Sequence, residues 1–315
     1  MTAYFIRRLI VLVLTLLGAS ALVFHLIHLI PGDLVTILLG ITASQNEATR
    51  EALVRSLNLD RPVLEQFGLW LGGVLRGDLG ASLVTGIPVR EQLLRTFPVT
   101  LQLLLIAFVI AVVLGVPAGA FSALRVNRWP DSTLRVLSLF FISTPAFFIG
   151  MLFILGSSYV AFIPTLRYVR PEVDLWASTL TMLMPALALG LAMSAIVLRF
   201  TRTSMLEVLN QDFIRTGRAK GVSQRRLLFA HALRNAAVPV IAVLGSQFVQ
   251  LLGNMIVIEQ VFGLPGVGQL LVNAIYRKDY TTIQGIVVSL VAFSLVANLL
   301  LDLLYAVVDP RIRYT

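Results

Sequence analysis

The sequence predicts an all-α membrane protein with six transmembrane helices, on the basis of its composition, its long uncharged stretches and the distribution of its basic residues. Of its 315 residues, 57% are hydrophobic and 13% are charged, whereas a soluble globular domain carries about 25% charged residues. A chain with so few charges lacks the polar surface of a soluble protein. The net charge of +9 arises between apolar runs, so membrane topology explains it better than nucleic-acid binding.

Six uncharged stretches reach the length of about 20 residues that a helix needs to cross the hydrocarbon core. They are Leu9–Ile30, Val99–Leu124, Val136–Leu166, Leu175–Leu198, Asn235–Ile258 and Tyr280–Leu301. Backbone polar groups in lipid must be satisfied within the segment, so each stretch predicts a helix. For the first stretch, a cleaved signal peptide is the alternative, but the apolar run exceeds the roughly 7–15 residues of a signal sequence. An uncleaved helix is favoured.

The basic residues concentrate on one side of the predicted membrane topology. With the amino terminus inside, the inner loops contain Arg7, Arg8, Arg125, Arg128, Arg135, the basic residues from Arg199 to Arg234, Arg311 and Arg313. The two short outer loops contain only Arg167, Arg170, Arg277 and Lys278. Because cytoplasmic loops are enriched in Lys and Arg, both termini are predicted to be cytoplasmic.

The spans divide the chain unevenly. Residues 1–30 form the first transmembrane helix, and residues 31–98 form a long extracytoplasmic segment of mixed polarity. Residues 99–308 form a core of five helices, which contains a cytoplasmic loop at 200–236. Residues 309–315 form a cytoplasmic tail.

The loop at 200–236 is predicted to consist of a helix, a glycine break and a second helix. Ser204-x-x-Glu207 has the pattern of a capping box that begins a helix, and Gly221 is a natural helix stop. Basic residues crowd the end of the first helix; they are Arg215, Arg218 and Lys220. Two interpretations follow from the residues alone: a basic segment on the membrane surface, or a docking element for a soluble partner.

Two motifs in this loop resemble a known family. Arg215-Thr216-Gly217-Arg218-Ala219-Lys220-Gly221 and His231-Ala232-Leu233-Arg234-Asn235 are similar to the EAA loop of binding-protein-dependent ABC importer permeases, in particular the dipeptide, oligopeptide and nickel branch. Arg215, Thr216 and Gly217 replace the Glu-Ala-Ala of the wider family, and only Gly221 matches. Further similar segments are Pro31-Gly32-Asp33, Gly77-Asp78-Leu79-Gly80-Ala81-Ser82, Glu259 to Gly268, and Asp309-Pro310-Arg311.

The resemblance implies a type I ABC importer permease fold in a bacterial inner membrane. It implies that Arg215 to Gly221, together with His231 and Arg234, couple this chain to a separate ATPase. The implied partners are a second homologous permease, two ABC ATPase subunits or domains, an extracytoplasmic solute-binding protein and membrane lipid. Gly77, Asp78, Gly80 and Ser82 are expected to contact the binding protein. The expected substrates are di- or oligopeptides, with nickel or another small solute as the alternative.

Polar residues in the fifth span form a second candidate site. Gln247, Gln250 and Asn254 are spaced three and four residues apart, so they share one helical face. They are interpreted either as the lining of a translocation pathway or as partners in interhelical hydrogen bonds. Glu259, at the outer end of the span, is either a gate residue or a loop anchor.

No enzymatic motif is present in the sequence. It lacks a P-loop of the form G-x-x-x-x-G-K-[ST], and it contains no cysteine. We therefore expect a transport subunit without a catalytic, metal or cofactor site, in which partner ATPases bind ATP and Mg²⁺. A secondary transporter is the alternative of a different class, but it would carry coupling charges near the membrane centre and often an internal repeat.

Overall fold

The computed structural model describes residues 2–28, 51, 54, 60–157, 159, 168–223 and 226–308. Its long elements are all helices. They are α1 (Thr2–His28), α2 (Val63–Leu75), α3 (Val89–Leu124), α4 (Trp129–Ser143), α5 (Ala146–Ser157), α6 (Leu175–Leu209), α7 (Asp212–Ala219), α8 (Leu233–Phe262), α9 (Val267–Tyr276) and α10 (Tyr280–Val308). A π-helical turn, Leu227–Ala232, leads directly into α8.

Five helices are each long and apolar enough to cross a membrane: α1, α3, α6, α8 and α10. Helices α4 and α5 meet the same criterion only together, and they are bent by 100° relative to each other. The prediction of one continuous helix over Val136–Leu166 is therefore wrong. Pro145 lacks a backbone donor and pushes the preceding residue towards extended geometry, and Thr144 has φ −95° and ψ 123°. The end of that predicted span lies outside the described residues.

The chain forms two compact units. They comprise Met1–Pro98 with Gln269–Val296, and Val99–Gly268 with Ala297–Thr315. In the first unit, α1 contacts α2 through the aromatic rings of Phe24 and Trp70, whose centroids are 5.6 Å apart. The start of α3 packs on α10 in the same unit, where the rings of Phe97 and Phe293 meet edge to face.

In the second unit, α3 and α6 run in the same direction. Gly190 of α6 packs closely against Ala107 of α3, and further along both helices Gly119 of α3 packs closely against Leu198 of α6. Small residues let helix backbones approach in this way. Two parallel spans require the chain between them to cross the membrane once. The bent pair α4–α5 is thus one span, and the described residues contain six crossings.

Helix α8 runs antiparallel to α3 in the same unit. Phe108 of α3 stacks edge to face on Phe248 of α8, with ring centroids 5.5 Å apart. Thr100, earlier in α3, contacts Glu259, later in α8. Helix α8 also packs along α5 and α6, so these helices surround the region where α4 and α5 break.

The fourth span extends further than the sequence predicted. Helix α6 continues to Leu209, so the loop predicted at 200–236 does not begin near residue 200, and the predicted capping box at Ser204 and Glu207 is wrong. Ser204 is buried within α6. The next helix, α7, begins at Asp212 instead. The predicted stop at Gly221 is confirmed, because this residue has φ +77°, a conformation that glycine adopts without steric cost.

Candidate functional site

A cavity of about 350 Å³ lies where α4 and α5 break. Its walls come from the break itself, from the middle of α6 and from the second half of α8. Lining residues include Thr144, Pro145, Met193, Gln247, Gln250 and Asn254. All three polar residues singled out in the fifth span therefore face the same cavity.

The chemistry of this cavity is that of neutral hydrogen-bonding groups. Gln247 is half-buried, whereas Gln250 and Asn254 are exposed. Each carboxamide offers two donors and one acceptor oxygen. No side chain on the described cavity wall is ionisable. The arrangement suits a solute that presents amide N–H and C=O groups.

Towards the end of α8, the carboxylate of Glu259 is fully buried and organises the following loop. It accepts a hydrogen bond of 2.6 Å from the hydroxyl of Thr100 and one of 2.7 Å from the backbone N–H of Gly268. The hydroxyl of Thr100 in turn accepts from the N–H of Val267 at 2.9 Å. A Cβ at Gly266 would overlap the carboxylate. Of the two sequence interpretations of Glu259, the structure favours the loop anchor.

The loop that Glu259 holds is also in contact with α5. Helix α8 ends at Phe262, and Gly263 follows in the left-handed conformation with φ 62°. The Phe262 ring packs so closely on Gly150 of α5 that a Cβ there would lie 2.8 Å from it. The end of α8 is thus packed against the helix that begins at the cavity wall.

An ion pair between a buried carboxylate and a partly buried guanidinium joins three elements near the carboxyl-terminal ends of α3 and α6. Asp131, in the first turn of α4, accepts from Arg202 of α6 through Nε at 2.7 Å and Nη2 at 2.9 Å. Its oxygens also accept from the Ser122 hydroxyl of α3 at 2.5 Å and from the Asn127 N–H at 3.0 Å. Asp131 is fully buried. Sequence reasoning missed this site, although an Arg inside an apolar helix is a signal that a partner exists.

Helix α7 packs one face on the end of the bundle and exposes the other. Ile214 is fully buried in a hydrophobic cluster, and Gly217 lies against Leu227 of the π-helical turn. The cluster contains Ala123, Met205, Val208, Ile214, Leu227, Ala232 and Ala236. The exposed predicted coupling residues are Arg215, Thr216, Arg218, Ala219, Lys220, Gly221 and Arg234.

Most of the predicted coupling residues are exposed, and the basic ones on α7 are Arg215 and Arg218. His231 lies in the π-helical turn, and its side chain is outside the described part of the chain. Phe213 is 42% exposed among the charged residues of α7. Charges around an exposed aromatic ring fit both interpretations from the sequence, a docking site for a protein and a basic segment on the membrane surface.

The predicted binding-protein contact forms a tight turn before α3. Ser82 is buried, and its hydroxyl donates a 2.5 Å hydrogen bond to Asp279. The Val89 N–H donates to the Gly80 carbonyl at 2.9 Å. Ser82 therefore has a structural role within this unit, whereas Gly77, Asp78 and Gly80 are exposed.

Comparison with known proteins gives two family matches that together cover nearly the whole chain. Residues 115–314 match the family described as binding-protein-dependent transport system inner membrane component. Residues 1–104 match the N-terminal region of the membrane component of such systems. The chain is 39% identical to the glutathione transport system permease protein GsiC of Escherichia coli (strain K12) and 40% identical to that of Pectobacterium atrosepticum, over the full length of both chains in each case.

Proposed function

Because this chain belongs to the family of inner membrane components of binding-protein-dependent transport systems, we propose that it is a permease subunit for the import of di- or oligopeptides. Its fold is that of a type I ABC importer permease, and it is a multi-pass inner membrane protein. The relatives are transport permeases, so this chain is a transport subunit. The finer assignment to peptides rests on the cavity.

The observation that carries the proposal is the set of three carboxamides on one cavity wall. Gln247, Gln250 and Asn254 offer donors and acceptors to the repeating amide groups of a peptide backbone. The described wall has no ionisable group that would select for a charged side chain. Carboxamides that bind the peptide's backbone amides therefore tolerate peptides with varied side chains. The relatives named as glutathione permeases agree with a peptide-like substrate. Nickel or another small solute is the alternative.

A second homologous permease completes the pathway in this proposal. Gln250 and Asn254 are exposed on α8, within a candidate span. Polar side chains that face lipid are costly, so a protein partner on this face accounts for them. The chain then supplies one half of the translocation pathway.

Coupling to ATP hydrolysis is assigned to the exposed face of α7. Arg215, Arg218 and Lys220 dock on a separate ATPase, and the partner ATPases bind ATP and Mg²⁺. The basic end of the bundle, which includes α7, then faces the cytoplasm with both termini. The exposed residues Gly77, Asp78 and Gly80 then face the extracytoplasmic solute-binding protein.

The docking role is tested by co-purification of the tagged chain with the products of neighbouring genes. Gly221→Pro is expected to lose the ATPases, because proline cannot adopt the φ of +77° at this position. Gly221→Asn is the matched control, since asparagine tolerates the left-handed conformation. Arg218→Glu, at an exposed site, tests the surface without changing the backbone. ATPases retained by both Gly221→Pro and Arg218→Glu would contradict the docking role.

Substrate and energy source are tested by uptake into proteoliposomes that contain the assembled complex. We expect uptake of labelled glutathione that requires ATP and the binding protein, and competition by unlabelled dipeptides. Competition by Ni²⁺ alone would favour the nickel alternative. Uptake by the purified chain without ATP would support a secondary transporter instead.

A further inference from the structure

We propose that Asp131 and Arg202 are positioning residues that transmit movement of α7 to the cavity. The inference rests on the proposed function, because it describes how that function is coupled to the ATPases. Asp131 and Arg202 touch neither the cavity wall nor the exposed face of α7. Their effect therefore passes through the helices that they join.

The geometry of the pair makes it a rigid connection. Two parallel hydrogen bonds from Arg202 fix the plane of the carboxylate, and the bonds from Ser122 and Asn127 occupy its remaining positions. Bidentate pairs of this kind add geometric specificity to charge attraction. The start of α4 must therefore follow any displacement of α6 at Arg202.

The residues of the ion pair are close in sequence to members of the hydrophobic cluster that contains Ile214 of α7. Ser122 precedes Ala123, which is part of the same hydrophobic cluster as Ile214 of α7. Met205 of that cluster lies one helical turn beyond Arg202 on α6. A displacement of α7 is therefore passed by its buried Ile214 to α3 and α6, the helices that carry Ser122 and Arg202.

Helix α4, which begins at the ion pair, reaches the cavity at its other end. Helix α4 has 15 residues, which gives a length of about 22 Å. It ends at Ser143, and the next residue, Thr144, lies on the cavity wall where the 100° bend to α5 begins. Helix α4 is held at one end by the ion pair and continues at the other into Thr144 and Pro145. A movement of its first turn therefore displaces the cavity wall.

The test uses the chain's lack of native cysteine and is made on the complete complex in proteoliposomes. Ala146→Cys places a single thiol at the cavity, and Thr216→Cys places one on the exposed face of α7. The rate of reaction with N-ethylmaleimide is measured on this chain with and without trapped ADP·vanadate. Each reporter is combined with Arg202→Lys or Asp131→Asn. Arg199→Lys is the matched control, one turn earlier on α6 at an exposed site.

In the chain that carries only the Ala146→Cys reporter, trapping ADP·vanadate is expected to change the labelling rate by about fivefold, within the usual range of coupling between sites. Arg202→Lys and Asp131→Asn should abolish most of this change while nucleotide-dependent labelling at Thr216→Cys persists. Arg199→Lys should behave as the parent. ATP hydrolysis should continue, with less solute moved per ATP.

Two results would overturn the inference. One is that trapping changes the labelling rate of Ala146→Cys as much in both Arg202→Lys and Asp131→Asn as it does in the chain without these substitutions. The other is loss of the responses at both reporters together, which would assign the pair a role in folding alone. A parent complex with no nucleotide response at either reporter would instead overturn the proposed function, so the two failures are distinguishable.

Discussion

Glu259 in α8 and Thr100 in α3 are joined by a buried hydrogen bond of 2.6 Å across 159 residues of chain. The bond ties the end of α8 to the first third of α3. Through Gly268, the same carboxylate fixes the loop that leads to α9. The stability of this end of the bundle therefore depends on a carboxylate and not merely on a polar residue.

Glu259→Gln is expected to destabilise the protein. Glutamine would direct an NH₂ group at either Thr100 or the N–H of Gly268, so one buried hydrogen bond is lost, at a cost on the order of 1–3 kcal/mol. Thermal unfolding in detergent, followed by tryptophan fluorescence, measures the change. Gln260→Glu, at the next and exposed position, is the control. An equal effect of both substitutions would contradict the anchoring role.

Gly266→Ala is expected to lower stability by about 1–3 kcal/mol, because the added methyl group overlaps the Glu259 carboxylate and forces a shift of the loop. Gly253→Ala is the matched control, since a Cβ at that helical position has no neighbour within 4 Å. Alanine should even favour the helix there by roughly 1 kcal/mol. The same unfolding assay separates the two; equal stability of both variants would show that the loop accommodates the methyl group freely.

Asn254→Leu is expected to reduce transport by about 5–10-fold, because one lost hydrogen bond is worth roughly 1 kcal/mol or slightly more. ATP-dependent uptake of labelled glutathione is measured at equal amounts of assembled complex. Ser246→Leu serves for comparison, since this residue is exposed on the same helix but does not line the cavity. If the two variants transport equally well, the carboxamide of Asn254 has no role in the pathway.

Ser82→Ala is expected to loosen the turn before α3. The hydroxyl bonds Asp279 and accepts from the N–H of Thr85, so its loss costs about 1.4 kcal/mol and increases local opening about tenfold. Cleavage by thermolysin within residues 83–87 reports this opening. Glu91→Ala, which removes an exposed ion pair with Arg95, should change it little. Unchanged cleavage of the Ser82→Ala chain would contradict the structural role.

The spans themselves were predictable because their signal is local. Apolar length alone identified Tyr280–Leu301, which is also the candidate span within α10. Helical periodicity likewise placed Gln247, Gln250 and Asn254 on one face. Their cavity was not predictable in the same way, because it also needs the break beside Pro145, and proline is common in continuous membrane helices.

The errors arose where distant residues decide the local structure. Arg199 and Arg202 marked the end of the fourth span by charge, but α6 runs through both to Leu209, and Arg202 pairs with Asp131, 71 residues away. The pattern of Ser204 and Glu207 is locally consistent with a helix start, yet it lies inside that longer helix. The two interpretations of Glu259 could be separated only by its contact with Thr100.

The parallel contact between α3 and α6 has a consequence for biosynthesis. The surface of α3 around Gly119 forms as soon as α3 has been inserted, but the residues of α6 that cover it, such as Leu198, are synthesised only after α4 and α5. A nascent chain thus leaves this surface of α3 without its partner helix while one further span is made. Ribosome stalling or truncation before α6 would leave this surface uncovered, and exposed surface of this kind makes incomplete chains prone to misassembly.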